Sequence, residues 1–110
     1  MNASDPKELE ESIYDLLNLI RKRPAMFIIE PSIVRLHMFI CAYAAGLGRV
    51  GFSLRDAADF HRFHDWVAHR LGFFESTSGW ANMIQEKSAS DSDAFNQFFV
   101  LLDEFRKESA

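Results

Sequence analysis

The chain has 110 residues, 48% of them hydrophobic, and a formal net charge of −4. This length is usual for one domain and allows a substantial core without disulfides or metal. The acidic balance disfavours nucleic acid and anionic lipid as partners, and it suits a basic protein. Cys41 is the one cysteine, which excludes an internal disulfide. Its apolar neighbours predict a buried, reduced thiol.

The start of the chain lacks the basic and apolar regions of a secretion signal, and no uncharged apolar run approaches the ~20 residues that span a bilayer. We therefore expect a cytoplasmic protein. Hydrophobic residues recur with a helical period, and no period-2 alternation is long enough to predict a strand. The sequence predicts one compact all-α domain of about five helices over residues 1–110, frayed at 1–4 and 107–110.

The first predicted helix begins at Asp5, with Pro6 in its first position and Glu8 three residues after the cap. The cations that end this helix complement its dipole, and Pro24 stops it. We expect residues 26–29 to be extended, before a second helix that Ser32 caps. The apolar stripe of the first helix comprises Leu9, Ile13, Leu16, Leu17 and Ile20. That of the second comprises Ile33, Leu36, Ile40, Tyr43, Ala44 and Leu47.

A capping box from Ser53 to Asp56 predicts a third helix that runs to Gly72. A turn over residues 75–79 then leads to a short fourth helix, and a polar stretch over residues 88–93 caps the last one. The predicted core residues of these three helices are Phe60, Phe63, Val67, Leu71, Trp80, Met83, Ile84, Phe95, Phe98, Phe99, Leu102 and Phe105.

Several histidines and acids suggest a metal site. His61, Asp65 and His69 follow one another at four-residue intervals on the polar face of the third helix, a spacing that can offer ligands to zinc. Three such residues span roughly 12 Å along a straight helix, so at most two can share an ion. His64 lies at the edge of the apolar face. The pattern therefore predicts no metal site and no cofactor.

The adjacent pair His64 and Asp65 resembles the signature of HD-type metal phosphohydrolases, which are also all-helical. In that interpretation His37 is the upstream ligand. We keep this enzyme as an alternative. Its last aspartate would have to be Asp91, Asp93 or Asp103.

The segment from Arg21 to Ile28 resembles one near the start of gyrase-type ATPase domains, but no glycine-rich acidic phosphate site accompanies it, so we predict no ATPase activity. A wider resemblance covers residues 12–105. Over this range the chain is similar to small bacterial cytoplasmic proteins found beside polymorphic or secretion-system toxins. Those small proteins look like immunity proteins. The resemblance leads us to expect glycine at Ile29. Its elements are Arg21 to Ile28, Ser32 to Leu36, the small-residue helix through Tyr43, Phe60 to Val67, Ser78 to Ile84 and Phe98 to Phe105.

This resemblance implies a protein without catalytic residues that binds its toxin directly. We expect a protein partner, possibly a basic toxin domain, and neither nucleic acid nor membrane. A homodimeric structural or regulatory module is an alternative. Trp80 follows a turn and suits an exposed anchor, although packing beside Phe73 and Phe74 is the favoured interpretation. The candidate partner-binding residues are Glu75, Trp80, Asp91, Asp93 and Asp65.

Overall fold

The computed structural model describes residues 5–74 and 79–109 as a mostly helical domain with one small parallel sheet. Five of its helices have eight residues or more, which is close to the prediction of about five helices. Because of the sheet, the predicted all-α class holds only approximately. In this part of the chain no helix is both long and apolar enough to cross a membrane. The elements are β1 (Lys7–Ser12), α1 (Ile13–Lys22), α2 (Pro24–Ile28), α3 (Ile33–Arg49), β2 (Phe52–Arg55), α4 (Ala57–His61), α5 (Phe63–Leu71), α6 (Gly79–Glu86) and α7 (Asp91–Ser109).

The predicted helix start at Asp5 is wrong, because residues 7–12 form β1 and pair in parallel with β2. Helix α1 begins at Ile13 instead. The Ser12 hydroxyl accepts a hydrogen bond from the Tyr14 N–H at 3.1 Å, and the Asp15 carboxylate accepts one from the Ser12 N–H at 3.4 Å. This capping box satisfies N–H groups that the first turn leaves without helical partners.

The predicted capping box from Ser53 to Asp56 is also wrong, because Ser53 lies in β2. Asp56 has a left-handed backbone, with φ 65°, and precedes α4. Its carboxylate accepts a hydrogen bond from the Ser12 hydroxyl at 2.7 Å, which ties the end of β2 to the start of α1. The predicted end at Gly72 is confirmed, since this residue closes α5 with φ 80°.

Residues 24–28 form the short helix α2, so the predicted extended conformation of residues 26–28 is wrong. Pro24 ends α1 as expected, but its fixed φ also suits the first position of a new helix. The predicted cap at Ser32 is confirmed, because its hydroxyl accepts a hydrogen bond from the Arg35 N–H at 3.1 Å.

The predicted apolar stripes of α1, α6 and α7 are confirmed as core, Leu9 in β1 being only partly buried. On α3 the stripe is buried at Ile33, Leu36 and Ile40, whereas Ala44 is exposed. The centre of the core is an aromatic cluster with its rings in edge, tilted or stacked contact. It comprises Phe60, Phe63, Trp80, Phe98 and Phe105.

Ile29 has a rare backbone conformation for a β-branched residue, with φ 76° and ψ −54°. The Glu30 N–H donates to the Ile28 carbonyl at 2.8 Å, so residues 28–30 form a γ-turn. The Ile29 side chain is 72% exposed and gains little from burial. The expectation of glycine at this position thus has a physical reason, because glycine adopts positive φ without steric cost.

We predict that Ile29→Gly is more stable than Ile29→Ala by about 1 kcal/mol, because both remove the side chain and only alanine retains the strain of a Cβ at positive φ. The free energy of unfolding in urea measures this difference. Met26, exposed within α2, is the matched control. There the order should reverse, with glycine less stable than alanine. The same order at both positions would contradict the strained turn.

Candidate functional site

A cavity of about 560 Å³ opens between α3, α4, α5 and α6. We call it the histidine pocket. Its apolar wall includes Ile40, Phe60 and Trp80. Its polar lining residues are His37, Cys41, His61, His64 and Asp65. The fold thus brings together polar side chains from α3, α4 and α5, including the His37, His64 and Asp65 of the phosphohydrolase alternative.

Cys41 is exposed, so the prediction of a buried thiol is wrong. It lies one turn after His37 on α3, beside the buried stripe rather than within it. The Cys41 Sγ is 3.5 Å from the His37 Nε2. The His37 ring also meets Trp80 edge to face, with 5.2 Å between ring centroids. These contacts fix His37 between the thiol and the indole.

The two metal hypotheses differ in how many of their ligands lie in the histidine pocket. His37, His64 and Asp65 share the pocket, as the phosphohydrolase alternative requires, whereas His69 is exposed and is not among its lining residues. Within residues 5–74 and 79–109, however, no three His, Cys, Asp or Glu side chains are close enough to hold one metal ion. Asp103, one of the proposed last ligands, pairs instead with Arg21 at 3.1 Å.

Two acids predicted to contact a partner bind helix ends. The Asp91 carboxylate accepts hydrogen bonds from the N–H groups of Ile33 at 3.0 Å and Val34 at 3.3 Å, at the start of α3. Asp93 accepts one from the Ala89 N–H at 3.0 Å, and its own N–H donates to the Ser90 hydroxyl at 3.0 Å. These carboxylates satisfy backbone donors that would otherwise lack partners.

The other candidate partner-binding residues are Trp80, Asp65 and Glu75. Trp80 is 9% exposed and packs in the aromatic cluster, so its predicted place in the core is confirmed. The predicted packing beside Phe74 is wrong, because Phe74 is fully exposed. Asp65 is exposed at the histidine pocket. Glu75 lies outside the described residues. Trp80 and Asp65 thus share the histidine pocket, whereas Asp91 and Asp93 are not among its lining residues.

The structure adds a surface that the sequence analysis did not predict. A shallow groove of about 230 Å³ is lined by Arg35 and by five apolar residues. Four of the apolar ones, Phe27, Ile29, Met38 and Phe39, are what we call the apolar face. Met38 is 65% exposed, and the rings of Phe27 and Phe39 meet edge to face at 6.0 Å. A feature of the sequence that could have indicated this groove is Met38, an apolar residue outside the buried stripe of α3.

This chain matches no family model, no curated protein and no solved structure. Evidence about its function therefore comes from the contacts, burial and charges of its own residues.

We predict that Asp91→Ala lowers the free energy of unfolding by about 1–2 kcal/mol, because it removes the acceptor at the start of α3. Asp65→Ala is the matched control, since Asp65 is exposed and accepts none of the helix-end hydrogen bonds described above. It should change stability by less than about 0.5 kcal/mol. Urea unfolding of both variants tests this, and equal losses would contradict a capping role for Asp91.

Proposed function

We propose that this chain is a non-catalytic protein-binding domain that neutralises a cognate bacterial toxin by direct binding, as an immunity protein does. The observation that supports this proposal best is the apolar face. Ile29 and Met38 expose most of their side chains on one groove, where contact with water is unfavourable. Contiguous exposed apolar side chains of this kind are typical of protein interaction sites.

The composition of the apolar face suits recognition of another protein. Phe27 and Phe39 pack partly against the core and supply a rigid floor. Met38 and Ile29 stand above this floor, and methionine adapts its shape to the partner at low cost. An inserted apolar or aromatic side chain of the toxin would be desolvated at the centre of the contact, where most binding energy is concentrated.

Charge favours a basic toxin over a second copy of this chain. The net charge of −4 attracts a positively charged protein at long range and raises the rate of association. Two copies would repel each other by the same charge. At the rim of the groove, Arg35 is already paired with Glu30 at 3.5 Å, so the rim itself adds little net charge.

The homodimeric module remains the second candidate, because another copy of the same apolar face is an alternative cover for it. Such a dimer would have to bury enough apolar area to overcome the repulsion between like charges. The two candidates differ in what occupies the face, and one substitution distinguishes them.

We predict that Met38→Asp weakens binding to the toxin encoded by the adjacent gene by about 100-fold or more, because it places a carboxylate in the desolvated centre of the contact. Calorimetry with the purified toxin domain measures the affinity. Growth of cells that express the toxin measures neutralisation, which the variant should lose. Met38 is exposed, so the domain should stay folded.

Val50→Asp is the matched control, because Val50 is 67% exposed and lies at the far end of α3. It should bind and protect as the unmodified chain does. Full binding and rescue by Met38→Asp would exclude the apolar face as the toxin site. A dimer that Met38→Asp converts to monomer, with no binding of the toxin domain by the unmodified chain, would favour the homodimer candidate instead.

A further inference from the structure

The histidine pocket is a second site, separate from the apolar face. Its volume of about 560 Å³ falls within the range of small-molecule pockets. The wall combines aromatic and aliphatic side chains, and the polar groups are few and concentrated. This combination provides apolar contact for most of a ligand and hydrogen bonds for its edge.

The wall favours a flat ligand. Phe60 and Trp80 meet edge to face at 6.0 Å, and His37 meets Trp80 in the same way at 5.2 Å. Aromatic side chains in such mutually perpendicular arrangements present both faces and edges to a neighbouring ring. A planar ring system can therefore contact several of them at once.

The polar groups favour a ligand with both donors and acceptors. A neutral imidazole carries one N–H donor and one nitrogen acceptor, so the exposed His61 ring brings both kinds of group to the pocket. The Asp65 carboxylate accepts from an N–H group of the ligand. A nitrogen heterocycle presents donors and acceptors side by side on one edge, in the plane of its ring.

The charges of the pocket exclude a phosphate group as the main determinant of ligand binding. Among the described residues that line the pocket there is no lysine or arginine, the side chains that usually bind phosphate. The Asp65 carboxylate would repel such a group. We propose that the histidine pocket binds an unphosphorylated planar nitrogen heterocycle of the nucleobase or nucleoside class.

The two tryptophans allow a direct test. In a ¹H–¹⁵N correlation spectrum, adenosine should shift the indole signal of Trp80, which lines the pocket. It should leave the signal of Trp66 in place, because Trp66 is outside the pocket lining and donates to Glu108 at 3.2 Å. AMP should bind more weakly than adenosine. Octanoate, which has an apolar chain and no ring, should bind more weakly still.

Two substitutions on α3 complete the test. Ala44 is exposed and lines the pocket, so Ala44→Phe should fill it and weaken adenosine binding by at least about tenfold. Ala45→Phe is the matched control, since Ala45 is exposed on the same helix and is not among the lining residues. It should bind adenosine as the unmodified chain does.

Cys41 provides a second measurement that needs no variant. As the single cysteine of the chain, it should react with iodoacetamide more slowly when adenosine fills the pocket. No shift of Trp80 and no protection of Cys41 at millimolar adenosine would overturn the proposal. So would undiminished binding by Ala44→Phe, or tighter binding of octanoate than of adenosine. None of these outcomes bears on toxin binding at the apolar face.

Discussion

The packing of aromatic rings around Phe63 and Phe98 is the interaction on which the rest of this structure depends. Both side chains are fully buried, and their ring centroids are 5.4 Å apart. Phe98 brings α7 against α5 and, through Trp80 at 4.8 Å, against α6. Each ring buries a large apolar area and adds a preferred edge-to-face geometry. The helices that carry the rings are thereby held in fixed relative positions, including those that form the histidine pocket.

This core constrains which side chains remain for function. Trp80 contributes to the cluster and presents only a small part of its surface to the pocket. Asp91 and Asp93 accept hydrogen bonds from backbone N–H groups, because the first turns of helices leave such donors without helical partners. The acids that seemed available for a partner thus stabilise the fold. By contrast with these acids, the exposed side chains of Ile29 and Met38 in the groove are apolar and have no such structural role.

The five longer helices were predictable because their core residues recur at helical spacing, which single-sequence patterns detect well. The short helix α2 was not, since it was predicted to be extended. Strand β1 was not, because Lys7–Ser12 has only Leu9 as an apolar side chain and its conformation depends on pairing with residues far along the chain. Capping signals were ambiguous for a similar reason. The spacing occurs at both Ser12 and Ser53, and both serines lie in paired strands. Ser12 caps a helix because it is the last residue of β1 and α1 follows directly, whereas Ser53 lies inside β2. The histidine pocket combines residues that lie far apart along the chain, so the sequence grouped only His37, His64 and Asp65 of its lining, through the phosphohydrolase alternative.

The histidine pocket and the apolar face both include residues of helix α3. Successive residues turn by about 100° around the axis, so positions 37, 41 and 44 lie together on one side of the buried stripe. Position 38 lies nearly opposite the buried stripe, about 60° from position 41, and position 39 lies on the other side of the stripe. Both line the groove of the apolar face. A ligand in the histidine pocket and a protein on the apolar face would therefore contact different residues of one helix. Because Leu36 and Ile40 hold that helix against the core, each side is presented in a fixed orientation. The two sites can be occupied at the same time without competing for the same side chains.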